Sequence, residues 1–191
     1  MTENAKYGSG WHQHRLKIAI WTTAALILLL PAIAMPFTYE VNWTLGDFVF
    51  AGVLLFVPLG IYEVVARKTA DPNYRTGAGM ALVAALLLLW VNGAVGITDS
   101  EADLLYVLAL AVGVVGTFVA RFRPHGMARA MYATALALAA AGTVALVAGM
   151  VPAYNSVFEI LGITVLFAVL FVGAALLFRK AARRSPEQDT V

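Results

Sequence analysis

Residues 86–103 read LLLLWVNGAVGITDSEAD, and the pattern of this stretch indicates the class of fold. Four leucines and a tryptophan lead into Asn92 and two glycines, after which three carboxylates (Asp99, Glu101 and Asp103) follow with no basic residue. An apolar run that stops at a polar turn is typical of a helix that crosses a bilayer and ends at its surface. The stretch therefore predicts a membrane protein.

The composition of the whole chain favours the same environment. Of its 191 residues, 61% are hydrophobic and 13% are charged, whereas a soluble domain has about 25% charged residues. Such a chain cannot form a polar shell, so we expect lipid to surround it. It has no cysteine, which excludes a disulfide framework, a thiolate nucleophile and a cysteine-based zinc site.

Six apolar segments each approach the roughly 20 residues that cross a bilayer as a helix. The predicted fold is an all-α bundle of six transmembrane helices. It forms a single integral membrane domain over residues 1–184, followed by a disordered cytoplasmic tail over residues 185–191. The predicted helices cover residues 16–35, 45–66, 77–97, 102–120, 128–150 and 157–178.

The basic residues predict the orientation of these helices. Every Lys and Arg falls before or at the start of the first segment, after the sixth, or beside the two loops that follow the second and fourth segments. They are Lys6, Arg15, Lys17, Arg67, Lys68, Arg75, Arg121, Arg123, Arg129, Arg179, Lys180, Arg183 and Arg184. Since basic loops stay in the cytoplasm, both termini are predicted to be cytoplasmic. Six acids lie near the opposite face: Glu40, Asp47, Asp99, Glu101, Asp103 and Glu159.

The first segment also fits a secretory signal. A basic flank and an apolar stretch precede Pro31 and the small residues Ala32-Ile33-Ala34, a pattern that signal peptidases cleave. Cleavage near Ala34 would leave five helices with the new N-terminus outside. The apolar run is longer than a usual signal core, which favours six helices.

Asn92 is the polar residue that the third segment places in the outer leaflet. Gly93 and Gly96 follow it, so a neighbouring helix can approach closely. An Asn within a membrane helix usually forms a hydrogen bond to another helix. The other interpretation is contact with a substrate or an ion.

Three more carboxylates are candidate functional groups. Glu63 lies four residues before Arg67, where the two can form an ion pair on one helix face or Glu63 can carry protons. Asp47 and Glu159 open the second and sixth segments, where an acid complements the helix dipole. Alternatively, they form a cation site at the outer mouth. The acidic turn after residue 97 is interpreted as a solvated turn.

Small residues mark candidate packing faces. The fourth segment carries Ala109, Gly113, Gly116 and Thr117, and the fifth carries Ala133, Ala137, Ala141 and Ala145. Such residues let helix backbones approach in lipid. We expect these faces to pack inside the bundle or to form a homodimer.

The sequence predicts no catalytic residue, no cofactor and no metal site. His12 and His14 lack a third ligand and are interpreted, with their basic neighbours, as an anchor to cytoplasmic headgroups. The acidic turn lacks the spacing of a calcium loop. The basic residues are expected to face anionic lipid headgroups, with no nucleic acid as a partner.

Three stretches resemble a family of small bacterial multi-pass inner-membrane proteins with no assigned function. They are residues 42–56 (NWTLGDFVFAGVLLF), 90–97 (WVNGAVGI) and 110–130 (LAVGVVGTFVARFRPHGMARA). The resemblance implies a bacterial cell inner membrane and no particular chemistry. The turn over residues 98–103 is shorter and more acidic than we expect in that family.

Two functions fit these expectations. The first is a non-enzymatic membrane component or accessory subunit that associates with itself or with another membrane protein. The alternative is a small transporter or channel for a cation or small solute. That function would use Asn92, Glu63 and the acidic mouth.

Overall fold

A computed structural model describes residues 4–94, 96–98, 100–151 and 156–188, with side chains between residues 18 and 184 of these ranges. The described part of the chain is all-helical, as predicted, and contains no strand. Its six helices are α1 (Asn4–Ala34), α2 (Leu45–Lys68), α3 (Pro72–Ala94), α4 (Asp103–Val119), α5 (Pro124–Val147) and α6 (Val157–Gln188).

The third helix begins and ends earlier than predicted. It begins at Pro72 rather than at residue 77, because Asp71 Oδ1 accepts a hydrogen bond of 2.9 Å from the Tyr74 N–H and proline is favoured at the first helical position. It ends at Ala94 rather than at residue 97. Gly96 has a φ of 79° and its N–H donates to the Val91 carbonyl at 3.1 Å, which closes the helix.

The first and last helices are both longer than predicted. The α1 helix begins at Asn4 rather than at residue 16. The side chains of His12 and His14 lie outside those that the structure describes, so the predicted headgroup anchor stays a prediction. The α6 helix continues to Gln188, through four residues of the predicted disordered tail. Ala181, with 1% of its surface exposed, extends its packed face beyond the predicted end at residue 178.

Four of the helices are long and apolar enough to cross a membrane, rather than the six predicted. They are α2, α3, α5 and the part of α6 from Val157 to Arg184. The α4 helix has 17 residues, or roughly 25 Å at 1.5 Å per residue, which is shorter than a hydrocarbon core of about 30 Å. The described apolar part of α1, Ile18–Ala34, is equally short.

The chain divides into two compact units, Met1–Ile61 and Tyr62–Val191. In the first unit, α1 packs against the middle of α2. The rings of Trp21 and Phe56 stack with centroids 5.8 Å apart. Ala24, Ala51 and Leu54 are buried, so small and aliphatic side chains form this contact.

The second unit is a ring of four antiparallel helices. The α5 helix packs between α4 and α6, and α3 closes the ring through contacts with α6 and α4. The largest fully buried side chains of this core include Tyr106, Phe178, Leu88, Leu138 and Ile160. The consecutive helices α4, α5 and α6 are thus packed neighbours, as short connections favour, whereas α3 packs mainly against α6.

A glycine lies at each of the three main crossings in this ring. A Cβ atom added to Gly113 of α4 would lie 2.5 Å from Thr134 Oγ1 of α5. One added to Gly142 of α5 would lie 2.7 Å from Thr164 Oγ1 of α6. One added to Gly77 of α3 would lie 3.3 Å from the carbonyl oxygen of Ala174 in α6. Close contact between these helices therefore depends on the missing side chains.

Candidate functional site

Asn92 joins the end of α3 to the start of α4. Its side-chain amide donates a hydrogen bond of 3.1 Å to the backbone carbonyl of Asp103. The residue is half-buried. This is a contact between helices of the kind that the sequence favoured for Asn92.

The carboxylate of Asp103 organises the turn between these helices. Its Oδ1 accepts hydrogen bonds from the N–H groups of Ile97 (3.1 Å) and Thr98 (2.7 Å) and from Thr98 Oγ1 (2.8 Å). Thr98 is fully buried, and its hydroxyl also lies 2.9 Å from Ser100 Oγ. The interpretation as a solvated turn was therefore wrong for Asp103. It fits Glu101, which is exposed, while Asp99 lies outside the described residues.

The small residues of α4 pack inside the second unit. Ala109 and Gly113 are buried, and a Cβ atom on Gly116 would lie 2.9 Å from Ala130 Cβ of α5. Thr117 Oγ1 donates to the carbonyl of Gly113 at 2.8 Å. These contacts are the internal packing that was one of the two expectations for this face.

The facing surface of α5 differs from the predicted alanine stripe. Ala130 and Thr134 face α4, whereas Ala133 is exposed. A strict spacing of four drifts around a helix of 3.6 residues per turn, so the predicted stripe leaves the interface at one end. Its later members, Ala141 and Ala145, are buried.

Of the glycines after Asn92, Gly93 is exposed and Gly96 ends the helix.

Glu63 and Arg67 form the predicted ion pair. Glu63 Oε1 lies 2.6 Å from an Arg67 guanidinium nitrogen, and 24% of the Glu63 side chain is exposed against 71% for Arg67. An exposed pair of this spacing contributes little to stability. It places the carboxylate near the C-terminal end of α2.

Asp47 caps the helix that it opens. Its Oδ2 accepts hydrogen bonds from the Thr44 N–H at 2.7 Å and from Thr44 Oγ1 at 2.8 Å, and the Asp47 N–H donates to Thr44 Oγ1 at 3.4 Å. This reciprocal pattern is a capping box. Glu159 lies in the first turn of α6 and is exposed. Each acid thus occupies the helix end that its dipole interaction favours.

Tyr106 and Thr164 form a buried polar contact that the sequence interpretation missed. Their hydroxyl oxygens lie 2.7 Å apart, beside Gly142, and join α4 to α6. A tyrosine and a threonine within apolar helices carry hydroxyls that need hydrogen-bond partners inside the protein, because lipid hydrocarbon offers none. That requirement was the available signal, but it does not name the partner.

Tyr74 is a second residue that the sequence did not single out. Its hydroxyl donates to the carbonyl of Phe122 at 2.7 Å, and its ring meets Phe178 edge-to-face with centroids 4.9 Å apart. Only 7% of Tyr74 is exposed. It therefore holds together the start of α3, the α4–α5 turn and the C-terminal part of α6.

The basic residues of the second unit lie at one of its two ends. We call the end that Tyr74 organises the basic end: it carries Arg75, Arg121, Arg123, Arg129, Arg179, Lys180, Arg183 and Arg184. The acids Glu63 and Asp71 also lie at this end, whereas the other end carries Glu101, Asp103 and Glu159 and no described base. The arrangement can orient a bundle in a membrane. In the described part of the chain, no group of three His, Asp or Glu residues is placed to hold a metal ion.

No family model, curated protein or solved structure matches this chain.

Proposed function

We propose that this chain is a multi-pass membrane protein of the bacterial cell inner membrane that acts as a non-enzymatic component or accessory subunit. The observation that carries the proposal is the separation of charge along the second unit. Every described Lys and Arg of the second unit lies at the basic end, together with the acids Glu63 and Asp71, whereas the other end carries Glu101, Asp103 and Glu159 and no described base. Apolar helices lie between the two ends. A bilayer with a cytoplasmic face that retains basic residues accounts for this pattern.

In the proposed topology all six helices cross the membrane and both termini are cytoplasmic. The α2, α3, α5 and α6 helices have the length and composition for crossing. The 17 residues of α4 lie at the short end of the range for spanning helices. Its exposed residues support a lipid contact, since Leu104, Val112 and Val115 have 43–61% of their surface exposed.

The polar contacts favour this role over the alternative, a small transporter or channel. A transport path needs polar groups that face water. Asn92 instead donates to the backbone of α4, and Glu63 pairs with Arg67 on its own helix. Hydrogen bonds and ion pairs within the protein explain why both residues are present.

Association with a partner would use a surface other than the small-residue face. Gly113 and Gly116 are occupied by α5, so that face does not supply a homodimer contact. The exposed apolar residues of α4 and α6 remain for lipid, for a second copy or for another membrane protein.

The test begins with a tagged chain expressed in bacteria. We expect it to stay in the membrane fraction after a carbonate wash and to co-purify with a membrane partner or a second copy after cross-linking and extraction in mild detergent. A chain that the wash removes contradicts the membrane assignment. A lone monomer that captures nothing contradicts the accessory role.

Ion flux into proteoliposomes tests the alternative. We expect the native protein to give the same flux as empty vesicles, and the Asn92→Leu and Glu63→Gln variants to change nothing. A flux that the native protein supports and that either variant abolishes would favour the transporter. Thr143→Val, which alters an exposed hydroxyl bonded only within its own helix, is the matched control.

A further inference from the structure

Tyr74 holds two basic segments at one end of the second unit. Phe122, whose carbonyl accepts the Tyr74 hydroxyl, lies between Arg121 and Arg123. Phe178, which packs on the Tyr74 ring, directly precedes Arg179 and Lys180. A single buried side chain thus contacts a residue next to each segment.

The α4–α5 turn holds Arg121 and Phe122 in an uncommon backbone conformation. Their φ angles are 50° and 59°, a left-handed region in which residues other than glycine are strained. Backbone hydrogen bonds fix the turn, from the Arg121 N–H to the Phe118 carbonyl (3.0 Å) and from the Arg123 N–H to the Ala120 carbonyl (3.0 Å). Strain retained at such a position motivates a functional hypothesis.

The surface of this turn is both basic and apolar. Arg121 and Arg123 are exposed. Beside them, Phe118 and Phe122 have 67% and 46% of their surface exposed, and their rings meet edge-to-face at 6.0 Å. A partner that satisfies both features must offer negative charge and hydrocarbon within a few ångströms of each other.

The C-terminal part of α6 adds a basic ridge to the same end. Arg179 and Lys180 are each followed four residues later by another base, Arg183 and Arg184, and like charges at this spacing repel each other. All four are exposed, whereas Ala181 is buried. Within the described side chains, no carboxylate pairs with them. These exposed bases are therefore available to pair with an anionic group of another molecule or with residues beyond position 184.

The length of α6 brings this ridge to a membrane surface. Its 32 residues span roughly 48 Å at 1.5 Å per residue, while a hydrocarbon core is about 30 Å thick. A helix that begins at the opposite face therefore carries its last turns into the headgroup region. Lipid phosphates lie in that region.

We propose that Arg121, Arg123, Arg179 and Lys180 form a binding site for the phosphate groups of anionic phospholipids, with an acyl chain lying against Phe118 and Phe122. Tyr74 is the positioning residue that holds the two halves of the site. Arginine suits this task because its guanidinium binds phosphate through two parallel hydrogen bonds. The inference rests on the proposed membrane setting and deepens it, because it names the lipid class and the residues that select it.

Native mass spectrometry tests the site. The purified full chain is mixed with equal amounts of phosphatidylglycerol and phosphatidylcholine in neutral detergent, and the retained lipids are counted. We expect phosphatidylglycerol to be retained preferentially. The double variant Arg121→Gln/Arg123→Gln should weaken that preference by about fivefold for each base removed, since one base near an anionic surface contributes about that factor.

A charge-matched control separates a site from a general attraction. The variant Lys68→Gln/Arg129→Gln removes two exposed bases that do not adjoin the residues contacted by Tyr74, and it should retain the native preference. Tyr74→Phe keeps the ring contact with Phe178 and removes the hydrogen bond to Phe122, so it should reduce the preference without unfolding the protein. Equal losses in the site variant and in the charge control would overturn the proposal.

Three further outcomes are informative. Retention of both lipids in equal amounts by a chain that resists the carbonate wash would overturn this inference and leave the membrane assignment intact. Removal of the chain by the wash would contradict the membrane setting, and with it both the proposed function and this inference. Tighter binding of a single-stranded RNA than of phosphatidylglycerol vesicles would show that the basic surface binds a nucleic acid, and would also overturn the lipid site.

Discussion

The hydroxyl oxygens of Tyr106 and Thr164 lie 2.7 Å apart in the core of the second unit, where 1% of Tyr106 and 5% of Thr164 are exposed. The contact joins α4 to α6 beside Gly142 of α5. Neither hydroxyl has access to water, so each depends on the other for a hydrogen bond. This pair therefore holds α4 against α6 where α5 passes beside them at Gly142.

Removing one member of the pair should destabilise the bundle modestly. We expect Tyr106→Phe and Thr164→Val each to lower the free energy of unfolding in detergent, and the double variant to lose less than the sum. Hydrogen bonds between membrane helices average about 0.6 kcal/mol and reach about 1.7 kcal/mol, so the coupling should fall in that range. A coupling of zero in this double-mutant cycle would show that the hydrogen bond contributes nothing.

Gly142 should tolerate no side chain. In Gly142→Ala the new methyl group would lie 2.7 Å from Thr164 Oγ1 and 3.2 Å from the Tyr106 hydroxyl, and overpacking of this kind costs about 1–3 kcal/mol. Thermal unfolding in detergent measures the effect. Gly162→Ala in α6 is the control, because nothing lies within 4 Å of its added Cβ atom. Equal unfolding temperatures for the two variants would contradict the crossing.

Asp103 should matter more than its acidic neighbour. Asp103→Ala removes the acceptor of three hydrogen bonds and leaves the hydroxyl and N–H of buried Thr98 without that partner, at a cost of about 1–3 kcal/mol. Glu101→Ala, at an exposed position of the same turn, should change stability little. Urea unfolding followed by tryptophan fluorescence compares them. Equal losses of stability in the two variants would mean that only the charge of the turn, and not the hydrogen bonds of Asp103, affects stability.

The helices could be predicted from the sequence because a bilayer permits few backbone structures. An apolar segment in a bilayer must satisfy its own backbone hydrogen bonds, and hydropathy therefore located every helix. The ends were harder, since they depend on single contacts. Asp71 accepts one hydrogen bond that lets α3 begin earlier in the chain than predicted. The buried Ala181 shows that the packed face of α6 continues beyond its predicted end. Neither feature changes the hydropathy.

The residues that join helices were predicted only in part. Asn92 was visible because an amide within an apolar run needs a partner, and Asp47 because acids favour helix starts. Tyr74, Tyr106 and Thr164 were missed because each is amphipathic or small and fits an apolar pattern. Their partners lie 48 and 58 residues away, and spacing along one helix carries no information about such distances.

The strained turn offers a test that separates stability from lipid binding. Arg121→Gly relieves a left-handed conformation that costs about 1–2 kcal/mol, against roughly 0.5–1 kcal/mol for the greater freedom of glycine in the unfolded chain. We expect a small gain in thermal stability in neutral detergent and a loss of preference for phosphatidylglycerol. Arg123→Gly removes the same charge at a φ of −74°, so it should lose the preference for phosphatidylglycerol without gaining thermal stability. Identical stabilities for these two variants would contradict the strain.

In the proposed topology the charged ends of the second unit face opposite sides of a membrane, with the basic end in the cytoplasm. The chain has no cysteine, so single cysteines can be introduced without background. Glu101→Cys and His125→Cys are placed at exposed positions on the two ends and treated with a membrane-impermeant maleimide in spheroplasts. We predict that the cysteine at position 101 is labelled at once and that the cysteine at position 125 is labelled only after the membrane is opened. Labelling of both positions before opening, or of position 125 alone, would contradict this orientation.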